Sequence, residues 1–419
     1  MSQTTTTPDI SQQLWAQYTA TIAAQMGAGA GTASIQVLPS AELITGDDAD
    51  DIAESVQKFS EIVPQWGAIY NPSSSTVVDA YQIVLTQMQE TSTNGTQIET
   101  EYNTESAKLT DMMGKASTFK TGQLKSFIAA VAMYKDAGID APTFTDWFAD
   151  NGLEAYTAMI DNQTAQSKRV AALLEAEGIS SPLVEALAAL NTALDANKDK
   201  LSMPLTINPD ATLLANWPSK PTNPTSLSFN DTSTQYDYSK STWDSHSGTE
   251  LFGFISIGDR SESSTKTNVF NSSSTYTIQI DFAAQGTLNI TQGDWFNGAI
   301  LKTYKAGPWV TGSQFATKAA HPYGDSDAVF PLLITRLYVV MNPTITITQE
   351  KSESNSLFSQ LDTHYKDGIN LGAFAFGGSE SNSSTITQST STDANTMKIT
   401  IKDTSNIPQI IAIANELMP

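Results

Sequence analysis

The sequence contains few residues that could perform acid–base, nucleophilic or metal chemistry. Its three histidines, His246, His321 and His364, lie apart, neither in the HExxH spacing of zinc proteases nor beside a GxSxG nucleophile turn. Cysteine is absent, which excludes disulfides, thiolate nucleophiles and thiolate metal ligands. No GxGxxG or P-loop motif is present to bind phosphates. The sequence therefore predicts a protein that is not an enzyme, with no catalytic residues and no cofactor.

One short segment, His321-Pro-Tyr-Gly-Asp325-Ser-Asp327, brings nitrogen and oxygen ligands together on a predicted loop. Asp325 and Asp327 are the candidate metal ligands, because carboxylates suit Ca²⁺ and other hard cations. Glycine and aspartate are also common turn residues, so a turn that holds no metal explains the same pattern. The composition of the segment favours the turn.

Aromatic residues are concentrated among glycines between residues 293 and 312. Trp295, Phe296, Tyr304 and Trp309 could contact a membrane surface or a sugar, because tryptophan and tyrosine offer large amphipathic surfaces. A packed corner at one end of a β domain would use the same residues. The sequence favours the packed corner, and the spacing does not distinguish a sugar from a membrane.

The overall charge and hydropathy exclude several classes of function. The formal net charge is −22, which opposes binding to nucleic-acid phosphates. No stretch approaches the roughly 18 to 20 apolar residues that a membrane-spanning helix needs. The first residues contain neither a basic nor an apolar segment, so we expect synthesis in the cytoplasm without a Sec signal peptide. Release through lysis or another route is compatible with this expectation.

Helical patterns dominate the first 200 residues. Residues 9–26 form an amphipathic pattern that Gly27 to Gly31 interrupt, and Ser181-Pro182 is a typical helix start. The acids between Asp47 and Asp51 suit the positive end of a helix dipole, although the same cluster could form a metal loop. The predicted helices lie at residues 9–26, about 47–64, 122–137, 143–150, 153–177 and 181–197, with a further helical region from residue 77.

The region that begins at Val77 shows apolar residues at alternating spacings of four and three. This register is typical of a helix packed along a bundle, and it continues across Ser92-Thr93-Asn94-Gly95 without a change of phase. One helix of about 37 residues, ~55 Å long, would account for it. A turn at residues 92–95 between two helices is the alternative.

The period changes to two after a proline-rich stretch that starts near residue 200. Tyr276, Ile278 and Ile280 alternate with polar residues, and Leu332 to Met341 are nearly continuously apolar. The second segment is typical of a central strand buried on both faces. We therefore predict an α+β protein, with a helical bundle containing a long helix at residues 1–200 and a mainly antiparallel, Ser/Thr-rich β domain at residues 201–419.

The β region contains an internal repeat at an offset of about 120 residues. Residues 248–282 match residues 368–402, so that Ile278 aligns with Ile399 and Ile280 with Ile401. Each copy is predicted to form strands that end in an alternating return strand, and two copies would stabilise each other in one sheet system or sandwich. A duplicated sheet with no activity of its own would also explain the repeat.

These Ser/Thr-rich strands resemble the hairpins of aerolysin-like and related β-pore-forming toxins. The order of helical bundle and β region is also similar to that of large bacterial toxins. The resemblance lies in pattern alone, and residues 385–392 depart from it because their second face is not consistently apolar. It implies a non-enzymatic, membrane-targeting or pore-forming protein that acts as a homo-oligomer, in which Tyr276, Ile278, Ile280, Ile399 and Ile401 belong to the membrane-directed hairpins.

Two other functions are compatible with the same sequence. A self-assembling structural or interaction protein would use the β region for contacts between copies. A carbohydrate-binding module would require a pocket that gathers Trp295, Trp309, His321 and Asp325. A membrane or glycan surface and further copies of the chain are therefore the expected partners, and nucleic acid is not.

Overall fold

A computed structural model describes most of the chain, with gaps. The described residues are 10–26, 33–46, 48–67, 69–89, 96–136, 144–176, 182–197, 202–230, 255–257, 265–266, 276–324, 327–365, 369–377, 384–391 and 395–419.

The described helices are concentrated in the first half of the chain. Asp48 caps the second helix, because its carboxylate accepts hydrogen bonds from the amides of Asp50 (2.9 Å) and Asp51 (3.0 Å). The acids of this cluster therefore start a helix, as the sequence predicts. The helices are α1 (Ile10–Gln25), α2 (Ala49–Ser60), α3 (Val77–Gln87), α4 (Thr96–Asp136), α5 (Phe144–Asn151), α6 (Leu153–Ala176), α7 (Pro182–Ala196), α8 (Thr212–Asn216), α9 (Gly298–Thr303) and α10 (Lys351–His364).

The long helix exists, but its bounds differ from the single helix expected from residue 77. Helix α3 ends at Gln87 because Met88 is extended (φ −70°, ψ 143°) and forms a bridge with Trp309 instead. Two separate helices are therefore confirmed, with the first ending earlier than expected, and the turn predicted at residues 92–95 lies outside the described residues. Helix α4 then runs for 41 residues and includes the helix predicted at residues 122–137.

Most described strands belong to one antiparallel sheet of eight strands. Its main path has the order β1-β14-β9-β13-β12, and β8 pairs with β9, β4 and β5. A four-stranded sheet has the order β11-β10-β6-β7, and β2 pairs with β3. The strands are β1 (Ala33–Leu43), β2 (Ile62–Pro64), β3 (Pro72–Thr76), β4 (Leu205–Asn208), β5 (Thr225–Asn230), β6 (Ile255–Ile257), β7 (Thr265–Lys266), β8 (Tyr276–Gln292), β9 (Leu332–Glu350), β10 (Ile369–Leu371), β11 (Phe374–Phe376), β12 (Ser384–Thr390), β13 (Thr396–Asp403) and β14 (Pro408–Leu417).

Strand β9 is the centre of the large sheet. It pairs with β8 on one side, and with β14 and then β13 on the other. Its first part, from Leu332 to Met341, is almost entirely buried, which confirms the predicted central strand. From Thr344 onward buried and partly exposed residues alternate, so this part is buried on one face only.

Strand β1 was not predicted, because the pattern of the first half is mainly helical. It pairs with β14 over seven residue pairs, from Ala33 opposite Glu416 to Leu43 opposite Gln409. The first half of the chain therefore supplies an edge strand of the large sheet. Where one domain ends and the next begins, near residue 200, stays a prediction.

Three clusters of buried apolar residues hold these layers together. The first lies between the large sheet, α1, α10 and the four-stranded sheet, with Phe282 and Phe374 ring centres 5.7 Å apart. The second fills the bundle of α3, α4, α6 and α7 and continues into residues 295–333. The third packs α2 and α8 against the other face of the large sheet, around the fully buried Trp217.

The fold class is therefore α+β, with an N-terminal helical bundle and C-terminal antiparallel sheets. Helix α4 is the long helix of the bundle and packs against α3, α5 and α6. Within the described residues, no helix combines the length and the apolar character needed to cross a membrane.

Candidate functional site

The aromatic segment, residues 293–312, packs against the first turns of helix α3. Tyr81 contacts Trp295 and Phe296, with ring centres 5.9 and 4.7 Å away. The Tyr81 hydroxyl also accepts a hydrogen bond from the amide of Asn297 at 3.0 Å. Burial raises the pKa of Tyr81 to about 12, so the hydroxyl stays protonated at physiological pH.

The end of α3 is joined to the same segment by backbone hydrogen bonds. The amide of Val310 donates to the carbonyl of Gln87 at 2.8 Å, and the amide of Gln89 donates to Pro308 at 2.9 Å. Trp309 follows within this pairing and packs its ring on Phe315 at 5.1 Å. The aromatic segment, which lies between β8 and β9, therefore contacts both ends of α3 and links this helix to the large sheet.

The four predicted contact residues thus come together in one packed region. Trp295 and Tyr304 are buried, and Phe296 and Trp309 are partly buried against the second apolar cluster. This arrangement supports the packed corner, since little of the aromatic surface is open to a ligand. Contact with a membrane or sugar stays a prediction, and it would require these side chains to leave their present environment.

A second group of contacts holds residues 202–204, which we call the connection because they lead from the helical part into the sheet. The buried carboxylate of Glu61 accepts a hydrogen bond from the amide of Met203, and Gln57 donates its side-chain amide to the carbonyl of Met203. The carbonyl of Pro204 accepts hydrogen bonds from the amide of Gly293 at 3.0 Å and the indole of Trp295 at 2.9 Å. The connection is therefore hydrogen-bonded to helix α2 through Met203 and to the aromatic segment through Pro204.

Gly293 is required by this close approach. A Cβ at position 293 would lie 2.7 Å from the Pro204 carbonyl oxygen, a distance that real Cβ atoms do not adopt. The glycine therefore allows the aromatic segment to reach the connection.

Burial raises the pKa of Glu61 to about 8, and Asp79 contributes in the same direction. Hydrogen bonds from Met203 and Gln57 and the charge of Lys120 oppose the rise. The carboxyl is therefore mainly protonated at neutral pH. Protonation lets it sit at the end of α2 without leaving a charge buried.

A small pocket lies beside the connection, between α3, α6 and α7. It offers about 50 Å³ of space to water-sized molecules, which is room for one or two waters rather than a substrate. It is not the pocket predicted around Trp295 and His321. Its lining residues are Val78, Asp79, Gln82, Leu153, Tyr156, Thr157, Ile160, Leu194, Asn197, Ser202 and Met203.

The predicted hairpin residues lie on one face of the large sheet. Ile278 pairs with Ile347 of β9, and Ile399 pairs with the same Ile347 from the other side. Ile280 and Ile401 flank Ile345 in the same way. These six isoleucines, which we call the isoleucine face, are fully buried, and Tyr276 is buried in the same cluster.

The opposite face of these strands carries hydroxyl, amide and charged side chains. The row through Thr277, Thr348 and Lys398 and the row through Gln279, Thr346 and Thr400 cross three strands each. Each of these side chains is partly or fully exposed. We call this surface the polar face, and together with the isoleucine face it makes the strands amphipathic.

The structure places the two repeat copies in related positions, although many residues of the first copy are not described. The return strands β8 and β13 flank β9, and the residues aligned in sequence meet the same β9 partners. Strands β6 and β10 pair in the four-stranded sheet. The strand that precedes the return strand differs between the copies. In the first copy this strand, β7, pairs with β6 in the four-stranded sheet, whereas in the second copy β12 pairs with β13 in the large sheet.

The predicted metal ligands are not assembled in the described part of the chain. Asp325 lies outside the described residues, as does His246. Among the residues that the structure describes, no group of three or more His, Asp or Glu side chains could hold a metal ion. His321 forms a backbone bridge with Ala328, and Phe330 donates its amide to Pro322 at 3.0 Å, which is consistent with a turn.

Sequence patterns did not identify Glu61, Met203 or Tyr81. In the sequence, Glu61 is an ordinary acid at the end of a helix. Its hydrogen bond partner, Met203, lies far along the chain and meets it only in the folded protein. An acid followed at once by the apolar residues Ile62 and Val63 is the one local signal of its burial.

The chain matches no protein-family model, no curated protein sequence and no solved structure.

Proposed function

We propose that this is a non-enzymatic, membrane-targeting protein that oligomerises and forms a pore, and that strands β8, β9 and β13 supply its membrane-directed surface. The observation that carries the proposal is the pair of opposite faces on these strands. Ile278, Ile347 and Ile399 line one face, whereas Thr277, Thr348 and Lys398 line the other. Such strands suit a boundary between lipid and water.

The chemistry of the two faces fits the demands of a bilayer. Strands that enter lipid must satisfy their backbone hydrogen bonds with neighbouring strands, and β8, β9 and β13 already do so. Isoleucine is among the residues that transfer most favourably into lipid. Threonine, glutamine and lysine side chains on the other face would be solvated in a water-filled lumen.

The strands are also long enough to be relevant to a membrane. Strands β8 and β9 have 17 and 19 residues, whereas a tilted membrane strand needs about 9–11. Their amphipathic part, such as Tyr276 to Phe282 in β8, spans ~20 Å at ~3.3 Å per residue. Neighbouring residues would have to extend it to cross the apolar layer.

The isoleucine face is covered in the folded chain. Helix α10 packs on β9 and β13, α1 packs on β1 and β5, and the four-stranded sheet supplies Phe374 and other apolar residues. We call these three elements the cover. Because the isoleucine face is buried beneath it, membrane contact requires the cover to move, and oligomerisation would then pair the strands of several copies.

A disulfide lock tests whether the cover moves. The amide of Ala41 in β1 donates to the carbonyl of Ala373 beside β10 at 2.7 Å, so the two residues are neighbours across the contact between the large sheet and the four-stranded sheet. Cysteines at these two positions are therefore the candidates for a disulfide that joins the sheets. Because the chain has no other cysteine, this is the only disulfide that can form within one copy of the variant Ala41→Cys/Ala373→Cys. We expect the oxidised variant to release no dye from liposomes and the reduced variant to release dye as oligomers form.

The single variant Ala41→Cys is the matched control and should behave as the parent in both redox states. Absence of dye release from the parent under neutral, acidic, alkaline and protease-treated conditions would contradict pore formation. Equal dye release by the oxidised and reduced double variants would show that the four-stranded sheet does not have to move for dye release, which contradicts its place in the cover.

Self-assembly without a membrane is the second candidate, and strand β12 favours it. This strand pairs with β13 on one side and is the end of its sheet among the described strands. Its sequence STITQST has no charge and no proline, the usual protection of an edge strand. An antiparallel pair of two β12 strands centred on Thr387 would place Thr385 opposite Ser389.

The variant Thr387→Lys tests whether the β12 edge joins the copies. A lysine on this exposed position should block edge pairing and abolish filaments or large assemblies, which electron microscopy and light scattering would show. Ser359→Lys, on an exposed position of α10, is the control for added charge. If the Thr387→Lys variant assembles as well as the parent protein, β12 does not join the copies.

A further inference from the structure

We infer that Glu61 is a pH-sensitive clamp that holds the connection to helices α2 and α3 and releases it as the pH rises. The inference concerns regulation, and it goes beyond the proposed function. The clamp exists whether or not the protein forms pores, and only its use as a trigger depends on that proposal.

Glu61 joins three parts of the chain. Its side chain accepts the hydrogen bond from Met203, and its carbonyl accepts the amide of Val77, the first residue of α3, at 2.7 Å. Its own amide donates to Gln57 within α2 at 3.1 Å. One buried residue therefore links the end of α2, the start of α3 and the connection.

The neighbourhood of Glu61 makes its charged form costly. The residue is 7% exposed. The charged groups that act on it from neighbouring helices are Lys120 of α4 and Asp79 of α3, which have opposite effects. The Lys120 ammonium also lies over the ring of Tyr156, 5.6 Å from its centre. Among the described residues no ion pair holds Glu61, so ionisation would leave a buried carboxylate that hydrogen bonds and the more distant charge of Lys120 stabilise.

Release of Glu61 would loosen more than one contact. Met203 is buried in the apolar cluster of the bundle and lines the small pocket, and Pro204 is bound by Trp295. Movement of the connection would therefore expose the pocket and weaken the attachment between the aromatic segment and the bundle. This is a route by which the helical part could separate from the sheet.

The direction of the pH effect follows from the two states. In the open state, in which Glu61 no longer holds Met203, the Glu61 carboxyl has its ordinary pKa of 4.5. In the closed state, in which the hydrogen bond from Met203 is formed, burial raises the pKa of Glu61 to about 8. The closed state therefore has its full advantage below about pH 4.5. Opening should increase up to tenfold per pH unit between these values and level off above about pH 8.

Hydrogen exchange of the full-length protein tests the clamp. Protection of the Met203 amide, corrected for the intrinsic pH dependence of exchange, should fall up to tenfold per pH unit from pH 5 to 8. The variant Glu61→Gln keeps a carbonyl acceptor but cannot ionise, so its Met203 protection should not change with pH. Glu54→Gln, an exposed position on the same helix, should behave as the parent.

Two results would overturn the inference. One is constant protection of Met203 in the parent across pH 5 to 8, a result that requires no folded variant. The other is the same pH dependence in Glu61→Gln as in the parent. Neither depends on lipid, so failure of the clamp is distinguishable from failure of pore formation.

Discussion

At the scale of single residues, Tyr81 attaches helix α3 to the β part in two ways. Its ring packs against Trp295 and Phe296, and its hydroxyl accepts a hydrogen bond from Asn297. The hydroxyl lies in a buried environment, which raises its pKa to about 12. The hydroxyl also donates a hydrogen bond to the Asn297 carbonyl at 3.4 Å. Replacement by phenylalanine would keep the ring and remove these hydrogen bonds.

We predict that Tyr81→Phe lowers the free energy of unfolding by about 0.5–1.5 kcal/mol, because it removes the partly buried hydrogen bonding between the Tyr81 hydroxyl and Asn297. Urea unfolding followed by circular dichroism measures the change. Tyr134→Phe, near the C-terminal end of α4, should change stability by less than about 0.5 kcal/mol. Equal effects of the two variants would mean that the hydroxyl of Tyr81 does not stabilise the attachment.

Glu61 should also affect global stability, with a sign opposite to that of most acidic residues. Because its folded-state pKa is raised to about 8, its contribution is complete below about pH 4.5 and is lost as the pH rises through 8. The loss is at most about 1.4 kcal/mol per pH unit. Urea unfolding of the parent minus that of Glu61→Gln should show this decline between pH 5 and 8, and a difference independent of pH would contradict it.

At the scale of elements, helix α10 is the part of the cover most directly placed on the isoleucine face. Leu357 and Leu361 are buried against the sheet, and Gln388 of β12 donates hydrogen bonds to Ser354 and Asn355 at 3.2 and 3.0 Å. The helix is short and exposed elsewhere, so its attachment depends on a few side chains. A change in one of them should weaken the cover selectively.

The variant Leu357→Ala should destabilise the protein by about 2–5 kcal/mol through the cavity that it leaves. If the cover must leave for activity, the same variant should release dye from liposomes faster than the parent. Ser356→Ala, on the exposed side of the helix, is the matched control. Lower stability with slower release would indicate that α10 does not restrain the strands.

Sequence periodicity predicted these elements unevenly, for physical reasons. It predicted α1, α2, the later bundle helices and β8, because each of these elements buries one face, and it predicted β9 because its first part is almost continuously apolar. It missed the break after Gln87, since the helical phase continues beyond it. It also missed β1, where Ser34 to Leu38 are all buried and no alternation shows.

The candidate sites were predictable to a smaller extent. The isoleucines at 278, 280, 399 and 401 were expected to share a role, and the structure adds that they meet common partners on β9. The partnership of Glu61 with Met203 was not predictable, because it joins residues 142 positions apart in the chain. Contacts of this kind depend on tertiary packing rather than on local pattern.

At the scale of the whole molecule, strands β8, β9 and β13 form an amphipathic region of the large sheet, with the cover on their isoleucine face and water on their polar face. The net charge of −22 keeps separate copies apart, whereas strand β12 at the sheet edge is neutral. Assembly should therefore depend on this edge and on the release of the isoleucine face. The connection at Met203, the cover and the strand edge would then act in sequence.

The measurement that tests the central claim most directly is photolabelling in liposomes whose lipids carry a photoreactive group in the acyl chain. We predict that membrane-bound protein is labelled on alternate residues of β8, at Ile278 and Ile280, and on Ile399 and Ile401 of β13. Thr277 and Gln279 should remain unlabelled, and the disulfide-locked variant should show no label in either strand. Dye release without label in these strands, or label on both of their faces, would contradict the proposed role of the isoleucine face.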